Sequence, residues 1–60
     1  MNLKVGDTVV KGPHADEIYK IKGERDETRV VRQYLVYDHV TRETYWKDAQ
    51  ELDGGRVIKD

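Results

Sequence analysis

The sequence predicts an all-β fold: five short strands in one small, strongly curved sheet, with a single helical turn before the last strand. Three observations carry this. Stretches rich in Val, Ile, Thr and Tyr recur at short spacing, separated by Gly, Pro and Asp turn signals. Residues 28–38 are apolar on both alternating faces, and residues 34–46 hold three of the four tyrosines and the sole tryptophan in what reads as a hairpin.

In chain order, Val5-Gly6-Asp7-Thr8-Val9 sets a turn pair between β-branched residues. Gly6 accepts unusual backbone angles and Asp7 can bond the backbone beyond it, so a first strand over residues 8–11 is expected. Gly12-Pro13 then ends a ladder, by freeing one φ angle and deleting one donor, and begins a loop to residue 16. Residues 17–22 alternate, with Tyr19 and Ile21 on one face and Ile18 and Lys20 on the other, which is a second strand. Residues 23–27 contain no apolar side chain and read as an exposed connection.

Residues 28–38 are too rich in β-branched and aromatic residues for a surface helix and read as a long bent strand. Val30, Arg32, Tyr34 and Val36 share one face, while Val31, Gln33, Leu35 and Tyr37 share the other. Apolar residues on both faces suit a curved strand that serves two sides of a small barrel. Residues 38–43 make a turn and 44–47 a fourth strand. Residues 48–52 fit one helical turn, with Asp48 as N-cap, Glu51 three positions on and Leu52 as its apolar anchor. Gly54-Gly55 stops it, and residues 56–59 form a last strand that pairs beside the first and closes the barrel. No repeat, linker or low-complexity run interrupts the chain, so residues 1–60 are one domain.

A chain of 60 residues buries only about 60% of the surface its unfolded form exposes, so one small core and slim stability are expected. Cys 0 removes a disulfide framework, thiolate metal sites and thiol nucleophiles, and fits a reducing, cytoplasmic location. No apolar run approaches the length that spans a bilayer, and the N-terminus lacks the pattern of a signal peptide, so no membrane role is expected. A net charge of -1 removes the bulk attraction that duplex-DNA binders use.

Two side-chain sets are candidates for recognition. With Phe 0, the rings of Tyr34 and Trp46 are assigned to the core, which leaves Tyr37 and Tyr45 as the outward aromatics able to stack on a base or a methylated ammonium group. Lys20, Lys22, Arg29 and Arg32 form a basic edge if the second and third strands pair, with Glu24, Asp26 and Glu27 interspersed. Glu43, Asp48, Glu51 and Asp53 make an acidic end that suits a basic partner or a second copy. His14 and His39 each have a nearby aspartate, but nothing in their spacing converges three or four ligands, so no metal and no cofactor is expected. The absence of Cys and Ser, and of a phosphate-cradling glycine loop, gives the reading of a non-enzyme.

Val5-Gly6-Asp7-Thr8-Val9, the run Tyr34-Leu35-Val36-Tyr37-Asp38, and Trp46 followed by Asp48-Ala49-Gln50-Glu51-Leu52 together resemble the small SH3-like barrels, including the Tudor and KOW groups and similar bacterial and phage domains. The resemblance implies a five-stranded SH3-like barrel with one helical turn before the last strand. It implies no single activity, because this architecture hosts RNA binders, methyl-lysine readers, peptide binders and structural subunits alike. The leading expectation is an interaction module for a protein partner, of an accessory or phage type. The alternatives are RNA or single-stranded nucleic-acid binding through the basic edge and tyrosines, and a structural homodimer.

Overall fold

Strands form where β-branched and aromatic residues alternate with polar ones, and the computed structural model, which describes residues 3–26 and 32–59, contains five. β1 spans Thr8–Lys11, β2 Glu17–Asp26, β3 Arg32–Asp38, β4 Glu43–Asp48 and β5 Arg56–Ile58, with a 3-10 turn over Ala49–Leu52. All pairings are antiparallel and the order is β4-β3-β2-β1-β5. The last strand lies beside the first, as expected, but β4 and β5 remain two separate edges and the expected closure of the barrel is not formed among the described residues.

Cross-strand registers put Val9, Tyr19, Ile21, Tyr34 and Val36 on one face, where Leu3 and Leu52 complete the buried core and Tyr45, Ala49 and Val57 pack at its margin. This settles the two-sided strand: the face of Tyr34 and Val36 is inward. Each fully buried aliphatic side chain here is worth about 1.5–3 kcal/mol, so losing any one would remove a large part of a small domain's stability. Leu52 is fully buried and anchors the 3-10 turn as expected.

β2 corrects one expectation. Residues 23–26 continue the strand instead of leaving it, because a bulge absorbs one residue: Ile21 lies opposite Val36 and Gly23 opposite Leu35, leaving Lys22 unopposed. Beyond the bulge the ladder is supported by polar cross-strand pairs, Arg25 with Gln33 and Arg32 with Asp26. Residues 27–31, and with them the expected start of the long strand at Thr28, including Val30 and Val31, lie outside the described residues.

Asp48 stands at the N-cap position of the turn, as expected, but its side chain makes no capping bond. It still belongs to β4, opposite Gln33, and its carboxylate accepts from Gln33 Nε2 at 2.7 Å instead of from the turn's amides. The turn is followed by a close approach that explains Gly55: a Cβ there would lie 2.6 Å from Val9 Cγ1 and 3.2 Å from the Val10 carbonyl oxygen.

Candidate functional site: the outward face of the sheet

Antiparallel partners share a face, so the registers also define what points away from the core. Val10 and Thr8 on β1, Ile18, Lys20, Gly23 and Arg25 on β2, Gln33, Leu35 and Tyr37 on β3, and Thr44, Trp46 and Asp48 on β4 all lie outward, with Arg56 and Ile58 on β5. Lys22, at the bulge, follows the inward Ile21 and is exposed. Charge is divided between the two faces. Of the strand carboxylates, Glu17, Glu24, Asp26, Asp38 and Glu43 alternate with the core side and Asp48 alone is outward; of the strand cations, Lys11, Arg32 and Lys47 alternate with the core side, whereas Lys20, Lys22, Arg25 and Arg56 are outward. A chain of net charge -1 therefore presents one basic sheet face.

At the β4 end of that face the side chains are ordered by one another. The Arg25 guanidinium lies 4.0 Å from the centroid of the Trp46 ring, within the range of a cation–π contact. Its Nε and Nη2 donate to Gln33 Oε1 at 3.1 and 2.9 Å, and Gln33 Nε2 in turn donates to Asp48 Oδ1. Leu35 sits between Gly23 and Trp46 across the strands. Further along, Tyr37 is opposite Lys20 on β2 and meets the His39 ring edge-on, centroids 4.8 Å apart.

The opposite side of the hairpin holds a different cluster. Tyr45 Oη donates to Asp38 Oδ2, and Tyr19 Oη donates to Glu17 Oε1, both at 2.8 Å. Lys47 Nζ lies 5.1 Å from the Tyr19 ring centroid, 5.7 Å from that of Tyr45, and 3.2 Å from Glu51 Oε2. Burial, and then the bond to Glu17, push the Tyr19 hydroxyl well above the usual phenol range. Tyr45 is raised for the same reasons, burial first and the Asp38 carboxylate second. These groups tie strands together.

Of the residues expected at the site, Tyr37, Lys20 and Lys22 share the outward face. Tyr45 was expected to be exposed and is instead half-buried at the core margin, because it lies opposite the inward Val36. Trp46 was expected in the core and is 36% exposed, because its partner is the outward Leu35. Arg32 alternates with the core side and pairs with Asp26 and Glu24 at the sheet's end. Arg29 lies outside the described residues. Trp46 and Arg25 are the additions that sequence reasoning missed, and the neighbour relation that reveals them is the β3–β4 register, which makes Tyr45 and Trp46 face opposite ways.

His14 and His39 are exposed, and among the described residues no group of three or more His, Asp or Glu side chains converges on a metal position. No helix among those residues is long and apolar enough to cross a membrane. No protein-family model, curated protein or solved structure matches the chain.

Proposed function

We propose that the chain is a non-enzymatic binding module of the small SH3-like barrel kind, acting in a reducing, cytoplasmic compartment, whose outward sheet face holds an acidic stretch of a protein partner. The supporting observation is the division of charge: Lys20, Lys22, Arg25 and Arg56 against Asp48 alone, set around the apolar and aromatic side chains of Leu35, Tyr37 and Trp46. Aromatic residues and arginine at the centre of a patch are what binding hot spots are made of. The meander of β1 to β4, the bulged β2 and the return of β5 to β1 support the barrel-like reading. The test compares proteins captured by the immobilised chain with those captured by Tyr37→Ala, Trp46→Ala and Lys20→Glu variants that keep the native circular dichroism spectrum. Each substitution is expected to weaken a true partner about tenfold or more; a partner held equally by all three variants would remove this face as the site.

A second reading is single-stranded nucleic acid. What favours it is the interleaving of cations with rings on one face, Arg25 with Trp46 and Lys20 with Tyr37, as a stacking platform requires. It predicts binding that weakens steeply with salt. Titrating the Trp46 fluorescence with short RNA and DNA single strands at low salt decides it, and an unchanged signal rejects it.

A further inference from the structure

Of the two edge strands among the described residues, β5 is three residues long, whereas β4 offers six, Glu43–Asp48. The order of side chains from Glu43 through Asp48 has a property that matters only if this edge meets itself. Laid antiparallel on a second copy about Tyr45, Glu43 stands opposite Lys47, Thr44 opposite Trp46, and Tyr45 opposite its own counterpart, while Arg42, in the turn with a φ of 64°, precedes the strand. We propose that two copies of this chain pair along β4 in this register, about a two-fold axis at Tyr45, giving one continuous ten-stranded sheet.

Two ion pairs arise by symmetry, each from Glu43 of one copy with Lys47 of the other. Because the paired positions have matching alternation, core side continues into core side and outward face into outward face. Other registers lack this. A slip of one residue opposes Glu43 to Asp48 and turns one core toward the other's outward face. A slip of two in either direction places Lys47 opposite Tyr45 or Thr41 and leaves no opposite charges facing. β5, centred on Val57, would oppose Arg56 to Ile58, with no charge match at all.

Lys47 sharpens the choice. An inward lysine on an edge strand discourages pairing, since its charge must be met by whatever strand arrives. Here it lies over the rings of Tyr19 and Tyr45 and reaches Glu51. Only the Tyr45-centred register brings a carboxylate, Glu43 of the second copy, to the facing position. The same lysine therefore admits this pairing and opposes the rest.

The test uses analytical ultracentrifugation of the whole chain at about 100 micromolar, enough to populate a dimer of ~10 micromolar affinity. The wild type is expected to sediment as a dimer, Glu43→Lys and Lys47→Glu each to associate at least about tenfold more weakly because they oppose like charges, and an equimolar mixture of the two variants to recover the dimer. Should Lys47→Glu fail to fold, cysteine pairing replaces it in this cysteine-free chain. Thr44→Cys and Trp46→Cys, both at exposed positions, are expected to form a mixed disulfide in preference to either homodisulfide. A monomeric wild type, variants that dimerise as well as wild type, or a statistical mixture of disulfides would each overturn the proposal.

Discussion

Tyr45 Oη donates to Asp38 Oδ2 at 2.8 Å, while the other carboxylate oxygen accepts from the amides of Val40 and Thr41 at 2.9 and 3.2 Å. One buried carboxylate thus binds β4 to the turn that leads into it. Burial opposes its ionisation, but the bonds from Tyr45 and the two amides prevail and hold the carboxyl below its usual range. A folded-state value below the unfolded one contributes stability that is complete above about pH 4 and is lost as pH falls through the folded value. Tyr45→Phe is expected to lower stability by about 1–2 kcal/mol near pH 7. Urea unfolding of both chains should show that difference shrinking once the carboxyl protonates in acid.

Alkali acts through the tyrosines. The Tyr19 and Tyr45 hydroxyls are both raised, by burial first and then by Glu17 and Asp38 respectively. For a group whose folded value exceeds the unfolded one, the stabilisation is complete below the unfolded value, about 10 for tyrosine, and declines as pH rises beyond it. The urea midpoint is expected to hold steady to about pH 10 and then fall. A Tyr19→Phe, Tyr45→Phe double variant should show a shallower fall, and an equally steep one would mean that other groups drive the transition.

Gly55→Ala tests the close approach after the 3-10 turn. The new methyl would meet Val9 Cγ1 at 2.6 Å, Lys11 Cγ at 2.7 Å and the Val10 carbonyl oxygen at 3.2 Å. The lysine stem can move aside; Val9, wholly buried in the core, and the backbone cannot. Thermal unfolding is expected to report a loss of about 1–3 kcal/mol, the usual magnitude of overpacking.

Tyr34→Phe is expected to be nearly neutral or to stabilise by up to about 1 kcal/mol, because it deletes a buried hydroxyl with no acceptor of its own. Tyr34 is 1% exposed, and its Oη has no hydrogen-bond partner among the described residues. The neighbouring Arg32 guanidinium is close enough for that hydroxyl to strengthen its hold on its proton, without the geometry of a bond. Differential scanning calorimetry of the two chains distinguishes this outcome from the loss that a satisfied hydroxyl would cause.

Much of the fold was legible because its punctuation is local. Gly6-Asp7 and Gly12-Pro13 bracket β1, and the alternation around Tyr19 and Ile21 marks the inward face of β2. Leu52 announces its burial as the one large apolar residue of an otherwise small or polar turn. What was hidden depends on partners. Trp46 is larger than Tyr45, and size argues for the core, yet the register gives the inward place to Tyr45. The continuation of β2 past Gly23 rests on Arg25 with Gln33 and Asp26 with Arg32, pairs that no single strand displays. Asp7 and Asp38 look like ordinary turn residues; their burial follows from the donors that gather on them. On Asp7 these include the Lys4 amide at 3.0 Å and Lys59 Nζ at 2.9 Å.

The bulge at Lys22 also decides where the length of this chain is free to vary. Before it, Glu17, Tyr19 and Ile21 alternate with the core; after it, Glu24 and Asp26 do, so the odd-numbered rhythm of β2 becomes even. Removing one residue elsewhere in the strand would invert every side chain on one side of the cut. Removing Lys22 would invert none, since Ile21 would remain against Val36 and Gly23 against Leu35, and only the extra bend would be lost. Kin of this chain that differ by a single residue in β2 should therefore differ at this position, carrying the same two faces on a straighter strand.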